Sequence, residues 1–169
     1  PKVLHRWKVS NGLNHHGLQV SLLSRGIELL KPGGRLIYST CSLNPMECEA
    51  VVQTALLRFG PQLSLLPLEE VLPLGSPRGA QGLEDWYVPD LSFESTGLVF
   101  HSWDEVEAKR SRSLEGSGSS EALQKSMFPE PTSTMQSLAL HRCARYLPIH
   151  GENFGGFFLA ALTKVAEAP

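Results

Sequence analysis

Three cysteines, six histidines and 17 acidic residues are the groups through which this 169-residue chain could do covalent or acid–base chemistry. Cys41 stands apart by its surroundings. It follows Arg35-Leu36-Ile37-Tyr38-Ser39-Thr40 and precedes Ser42-Leu43-Asn44-Pro45-Met46-Glu47. The apolar run 36–38 predicts a short buried strand. Asn44 supplies a helix cap, Pro45 suits a first helical position, and Glu47 stands where a capping-box carboxylate reaches back. Cys41 is thereby expected at the carboxyl end of a strand, where open α/β sheets hold ligands. It is also expected to face a helix N-terminus, whose partial positive charge lowers a thiol's pKa. That placement suits a thiolate nucleophile. Cysteine also serves as a small buried hydrophobe, and placement alone leaves both roles open.

The other reactive groups read more plainly. Cys48, in the first turns of the following helix, and Cys143 read as packing residues. His15 and His16 are adjacent on a predicted helix and do not face each other, so a shared metal is not expected. No other metal-ligand spacing is present, and no metal is expected. The Gly-x-Gly at 116–118 lies in a Ser/Gly-rich run and not after a strand, so it is not a nucleotide loop. Three cysteines without paired spacing favour free thiols in a reducing compartment. A net charge of -2 excludes a chain-wide basic surface. Contact with nucleic acid would have to come from local groups: Lys109 and Arg110, with Arg112, or His141, Arg142 and Arg145. Each set has an ordinary alternative, a solvated loop for the first and a basic last helical turn for the second. No signal peptide or membrane-length apolar run is visible.

These residues need elements to hold them. Leu23, Ile27 and Leu30 recur at helical spacing and predict a helix over 13–30, stopped by Lys31-Pro32-Gly33-Gly34. Residues 1–11 read as an irregular approach, with Trp7 as a packing residue. The strand 35–40 follows, then a helix over 45–59 with Val51, Val52, Ala55 and Leu56 on its apolar side, ended by Gly60-Pro61. Residues 63–66 form a further short strand. From 67 to 99 the chain is rich in Pro, Gly and acidic residues, with Glu69, Glu70, Glu84 and Asp85 as solvated charges. Pieces around 86–88 and 97–101 make a loose hairpin at the edge. Residues 105–123 read as a flexible insertion. A helix over 134–145 places Arg142 and Arg145 in its last turn, and 155–163 reads as a strand buried on both faces. The chain opens on Pro1 and enters almost at once a helix–strand unit, which leads us to expect a piece of a longer polypeptide.

Several strings together carry a resemblance. They are His16-Gly17-Leu18-Gln19, Arg25-Gly26, Gly33-Gly34-Arg35, Tyr38-Ser39-Thr40-Cys41-Ser42-Leu43-Asn44-Pro45 with Glu47 and Glu49-Ala50-Val51-Val52, then Met127-Phe128-Pro129, His141-Arg142-Cys143, Arg145 with Leu147-Pro148, and Gly155-Gly156-Phe157-Phe158 with Ala160 and Leu162. In this order they resemble the Sun-domain (NSUN) family of RNA cytosine-5 methyltransferases, and most of all its tRNA-methylating branch.

The resemblance implies an α/β, Rossmann-like sheet of a methyltransferase dependent on S-adenosylmethionine (SAM), mostly parallel with one antiparallel strand. Residues 1–165 would be the C-terminal part of that catalytic domain. Strand 35–40 would be the fifth strand and 156–163 the antiparallel one. The family's nucleophile maps onto Cys41. Its thiolate adds to carbon 6 of cytosine, carbon 5 becomes enamine-like and takes the methyl group, and loss of the carbon 5 proton releases the thiolate. The base must be unstacked to be reached. RNA, tRNA in particular, is the implied partner and SAM the implied cofactor, with action inside the cell in the nucleus or nucleolus. The family's cofactor loop, its acidic ribose-binding residue and its Pro-Cys motif lie upstream of the matched region. No cysteine here follows a proline, since the predecessors are Thr40, Glu47 and Arg142. No cofactor-binding residue is therefore assigned. Cys48 stands where the family has a polar residue. Two other readings stay open: a truncated RNA-binding or assembly fragment without catalysis, and a thiol hydrolase with a histidine beside Cys41.

Overall fold

The computed structural model describes residues 9–112, 122–148 and 155–165. Trp7 and the Gly-x-Gly at 116–118 lie outside the described residues. The helical period beginning at Leu13 forms α1 (Val9–Leu29). The helix starts earlier than predicted because the period marks only where its face becomes buried, at Leu13, His16, Leu23 and Ile27. After a turn with Gly33 at φ 74°, β1 runs over Arg35–Thr40, as its apolar run predicts. It is not fully buried. Its residues alternate, and Ile37 keeps 47% of its surface exposed.

The helix predicted over 45–59 forms in two pieces, a 3-10 turn (Pro45–Glu47) and α2 (Glu49–Phe59), with a break at Cys48. The Tyr38 hydroxyl donates to the Glu47 carbonyl at 2.7 Å. It occupies an acceptor that a continuous helix would give to its own next turn. Val51, Val52, Ala55 and Leu56 are buried as expected, and Ala50 is buried with them. Gly60 ends α2 at φ 54°. Then come β2 (Leu63–Leu66), β3 (Ala80–Gln81), β4 (Val88–Pro89), α3 (Phe93–Thr96), β5 (Val99–Phe100), α4 (Trp103–Arg112), α5 (Thr132–Leu138), β6 (Ala144–Tyr146) and β7 (Phe157–Lys164).

β7 organises the main sheet. β1 lies along one side of it, from Arg35 opposite Thr163 to Thr40 opposite Phe158. Along the other side lie β2, with Leu66 opposite Ala161, and then β6, with Ala144 opposite Leu159 and Tyr146 opposite Phe157. β3 pairs with the outer side of β6. The class is α/β, but the mostly parallel sheet is a correction: every pairing among the described residues is antiparallel. The strand expected to be the antiparallel exception is the central one, so each of its neighbours must oppose it. One face of the sheet, with Leu36, Tyr38, Phe158, Ala160 and Leu162, joins α1 and α2 in the main core. The other carries Leu159, Ala161 and Ala144 against Leu66, Leu68 and Leu72.

Two further expectations change. Residues 105–112 are not a flexible insertion but most of α4. Val106 is fully buried, Trp103 Nε1 donates to Glu107 at 2.9 Å, and the Arg110 guanidinium lies 4.9 Å from the Trp103 ring centroid. One apolar and one aromatic anchor hold a helix whose average composition reads as disordered. The expected hairpin does form, Val88 opposite Phe100, but as a separate two-stranded sheet and not at the main sheet's edge. The helix predicted over 134–145 ends at Leu138. Ala139 turns left-handed at φ 55°, a 3-10 turn spans Leu140–Arg142, and Arg145 lies on β6.

Candidate active site

Cys41 stands one residue beyond β1, at its carboxyl end, and is exposed. The loop that carries it is fixed by short-range bonds first. The Ser42 amide donates to Thr40 Oγ1 at 2.9 Å. The Asn44 amide donates to Ser42 Oγ at 3.0 Å, and Asn44 Oδ1 caps the 3-10 turn by accepting from the Met46 amide at 3.2 Å. Glu47 does not reach the Asn44 amide directly. It accepts the Ser42 hydroxyl at 2.8 Å, so the expected capping box runs through Ser42. The other Glu47 oxygen lies 3.3 Å from His15 Nδ1 and 3.4 Å from Gln19 Nε2, which ties the loop to α1.

Longer-range contacts complete the cradle. A Cβ on Gly12 of α1 would lie 2.1 Å from Asn44 Nδ2, and one on Gly156 would lie 2.6 Å from Leu43 Cδ1. Both glycines therefore permit close approach to the loop. Cys48 Sγ donates to the Ser42 carbonyl at 3.3 Å. Cys48 and Cys143 are buried, as expected. Burial pushes both thiols well above their ordinary range, and the Glu49 carboxylate adds to the rise.

The four basic residues proposed for RNA do not form one patch. Lys109 Nζ pairs with Asp90 at 3.1 Å and Arg110 stacks on Trp103, both on α4. Arg142 Nη1 donates to the Leu65 carbonyl at 2.8 Å, beside β2. Arg145 is buried: Nη1 lies 2.5 and 2.6 Å from the two oxygens of Glu49, and Nη2 donates to the Leu43 carbonyl. Its charge is thus matched inside the protein. Of the four, Arg145 alone is bonded to the Cys41 loop. Sequence reasoning missed Glu49, although its place in the Glu47-x-Glu49 string was a signal, because a glutamate in a first helical turn ordinarily needs only the helix dipole.

Among the described residues, no group of three His, Cys, Asp or Glu side chains is placed to hold a metal ion, and no helix is long and apolar enough to cross a membrane. Two clefts of about 510 and 520 Å³ lie elsewhere. The first is lined by Arg78, His141, Arg142 and Tyr146 among others, the second by Glu84, His101 and Glu130 among others; Cys41 lines neither.

A family model described as 16S rRNA methyltransferase RsmB/F matches residues 6–90, half of the chain and the whole of the Cys41 loop. The chain belongs to the RsmB/F methyltransferase family. It is 40% identical over 159 residues to a multisite-specific tRNA:(cytosine-C(5))-methyltransferase of Schizosaccharomyces pombe, covering 94% of this chain and 21% of that protein. It is 35% identical over 164 residues to a tRNA (cytosine(34)-C(5))-methyltransferase of Drosophila melanogaster, covering 97% of this chain and 20% of that one. A methyltransferase homologue from Pyrococcus horikoshii superposes with a TM-score of 0.54 at 26% identity, over 94% of this chain and 34% of its own. The chain thus spans about a fifth of the length of these two curated relatives.

Two carboxylates lie beside the Cys41 loop of this RsmB/F-family chain. The carboxylates beside the loop, Glu47 and Glu49, are buried. Glu47 is held by Ser42, and Glu49 by Arg145 and by the Leu83 amide at 2.9 Å. Neither is left for a ribose. His15 reaches the loop through Glu47, not through a hydrogen bond to Cys41.

Proposed function

We propose that this chain supplies the attacking thiol of an RNA cytosine-5 methyltransferase, with Cys41 as nucleophile and tRNA as substrate. The observation that carries the reading is the exposure of Cys41 on an otherwise well-anchored loop at a strand's carboxyl end, in a chain of the RsmB/F family. The names of the tRNA-modifying relatives support the choice of RNA.

The chemistry follows from the electronic structure of cytosine. Carbon 5 is a poor nucleophile. Addition of the Cys41 sulfur to carbon 6 forms an S–C bond and moves the ring's electron pair toward carbon 5, which can then form a new bond to carbon. Departure of the carbon 5 proton restores the double bond and expels the sulfur, so one hard step becomes several easier ones. The loop serves this by holding the thiol outward at a fixed place, which lowers the entropic cost of attack. SAM is the proposed methyl donor: it would supply the methyl group from its sulfonium and leave as the neutral thioether.

Replacing Cys41 by alanine in the full-length protein that carries this chain tests the proposal. Transfer of labelled methyl groups from SAM to tRNA should fall to below about a thousandth of the wild-type rate. Transfer by Cys41→Ala at a rate near wild type would remove Cys41 from the reaction. An inactive wild type with every RNA offered would remove the activity itself.

A further inference from the structure

The Leu43 carbonyl, two residues beyond Cys41, accepts from Arg145 on β6. The same guanidinium holds both oxygens of Glu49 through Nη1. Glu49 has no exposed surface, sits in the first turn of α2, and takes a further hydrogen bond from the Leu83 amide at 2.9 Å. It is therefore a fixed point, and the rigid fork of the arginine carries that fixity across to the Cys41 loop. We infer that the Glu49–Arg145 pair positions Cys41 for attack by clamping the Leu43 carbonyl. The inference rests on the reading of Cys41 as nucleophile.

The choice of residue type supports a positioning role. A lysine could neutralise Glu49, but its single ammonium is a point charge on a flexible stem. The planar fork of arginine joins two acceptors at a set separation. The remaining contacts of the loop, through Thr40, Ser42, Asn44 and Glu47, are made within the chain segment 38–48 or to α1. The arginine adds the described side-chain bond that ties the loop to the β6 side of the sheet. Gly156 lets the Leu43 side chain seat against the start of β7, so this residue is gripped through both its backbone and its side chain.

The test compares three full-length proteins, wild type, Arg145→Lys and Glu49→Leu/Arg145→Leu, with Cys41→Ala as the control for the nucleophile. Arg145→Lys keeps a cation for Glu49 and loses the reach to Leu43. The double variant removes both charges and keeps the space filled with apolar atoms, so a fold retained by either variant suffices. The expected result is a fall of tenfold or more in kcat for methyl transfer with KM for tRNA changed less than twofold. Hydrogen exchange at the Ser42 and Asn44 amides should quicken tenfold or more, while exchange in α2 stays as in wild type. A folded variant with wild-type kcat and unchanged exchange at 42 and 44 would overturn the clamp while leaving Cys41's role intact. Full activity of Cys41→Ala would instead overturn the nucleophile reading and the clamp with it.

Discussion

Cys41 and Cys48 flank the same loop, yet their surroundings impose opposite behaviour. Cys41 is exposed, whereas Cys48 is fully buried, bonded to the Ser42 carbonyl and raised in pKa by burial and by Glu49. Cys143 is buried and raised for the same reasons. Because the thiolate is the reactive form, iodoacetamide at neutral pH should label Cys41 in the folded protein and leave Cys48 and Cys143 unmodified until denaturant is added. Peptide mapping by mass spectrometry reads the result, and labelling of Cys48 at the rate of Cys41 would contradict this placement. Arg145 carries the second residue-scale expectation. Removing one partner of a buried ion pair strands the other, at a cost of about 3–5 kcal/mol. Arg145→Met alone should therefore lower the free energy of unfolding in urea by that order. The paired Glu49→Leu/Arg145→Leu change should cost much less.

At the scale of elements, α1 offers an internal comparison. Gly12 and Gly17 lie on the same helix, and replacing either by alanine gains about 1 kcal/mol in helix propensity. A Cβ at Gly17 would meet Gln124 Nε2 at 3.6 Å, an ordinary contact, whereas one at Gly12 would meet Asn44 Nδ2 at 2.1 Å. Asn44 would have to move and surrender its cap on the 3-10 turn, a loss of about 1 kcal/mol, and overpacking adds about 1–3 kcal/mol. The losses exceed the gain. Gly17→Ala should leave stability unchanged or slightly raised, and Gly12→Ala should lower it by about 1–3 kcal/mol, both read from chemical denaturation. Equal stability of the two variants would mean that α1 does not press on the Cys41 loop.

The whole molecule shows its cooperation at His16, which has no exposed surface. Its Nδ1 donates to the Met46 carbonyl at 2.6 Å, and its Nε2 lies 2.9 Å from the Ser126 hydroxyl. One side chain thus joins α1, the 3-10 turn after Cys41 and the segment around Met127. Burial holds its pKa below 6.5, despite the opposing pull of the Met46 carbonyl. The unfolded chain therefore binds a proton more readily than the folded one. This contribution to stability is fully present above about pH 6.5 and is lost as pH falls from there toward the folded pKa, by up to about 1.4 kcal/mol per pH unit. Melting temperatures measured from pH 7.5 to 5.5 should fall more steeply for wild type than for His16→Gln. Parallel curves would show that His16 is not the titrating group.

What could be read from the sequence was what local chemistry dictates. The apolar run 36–38, the Asn44-Pro45 start and the apolar side of α2 pointed to β1, the turn and the helix, because these depend on neighbours a few residues apart. The Ser-Thr-Cys-Ser-Leu-Asn-Pro string named the family, and the family model matches the segment containing it. Nothing local could reveal that β7 sits in the middle of the main sheet with β1, β2 and β6 all antiparallel to it. Nor could it reveal that Arg145 leaves a predicted helix for β6, or that α4 orders around Val106 and Trp103. The pairing of Glu49 with Arg145 spans 96 positions of the chain. A buried charge pair of that reach exists only once packing has removed both groups from water and fixed them within hydrogen-bond distance. Sequence determined which thiol sits at a strand's end; tertiary structure decided what holds it there.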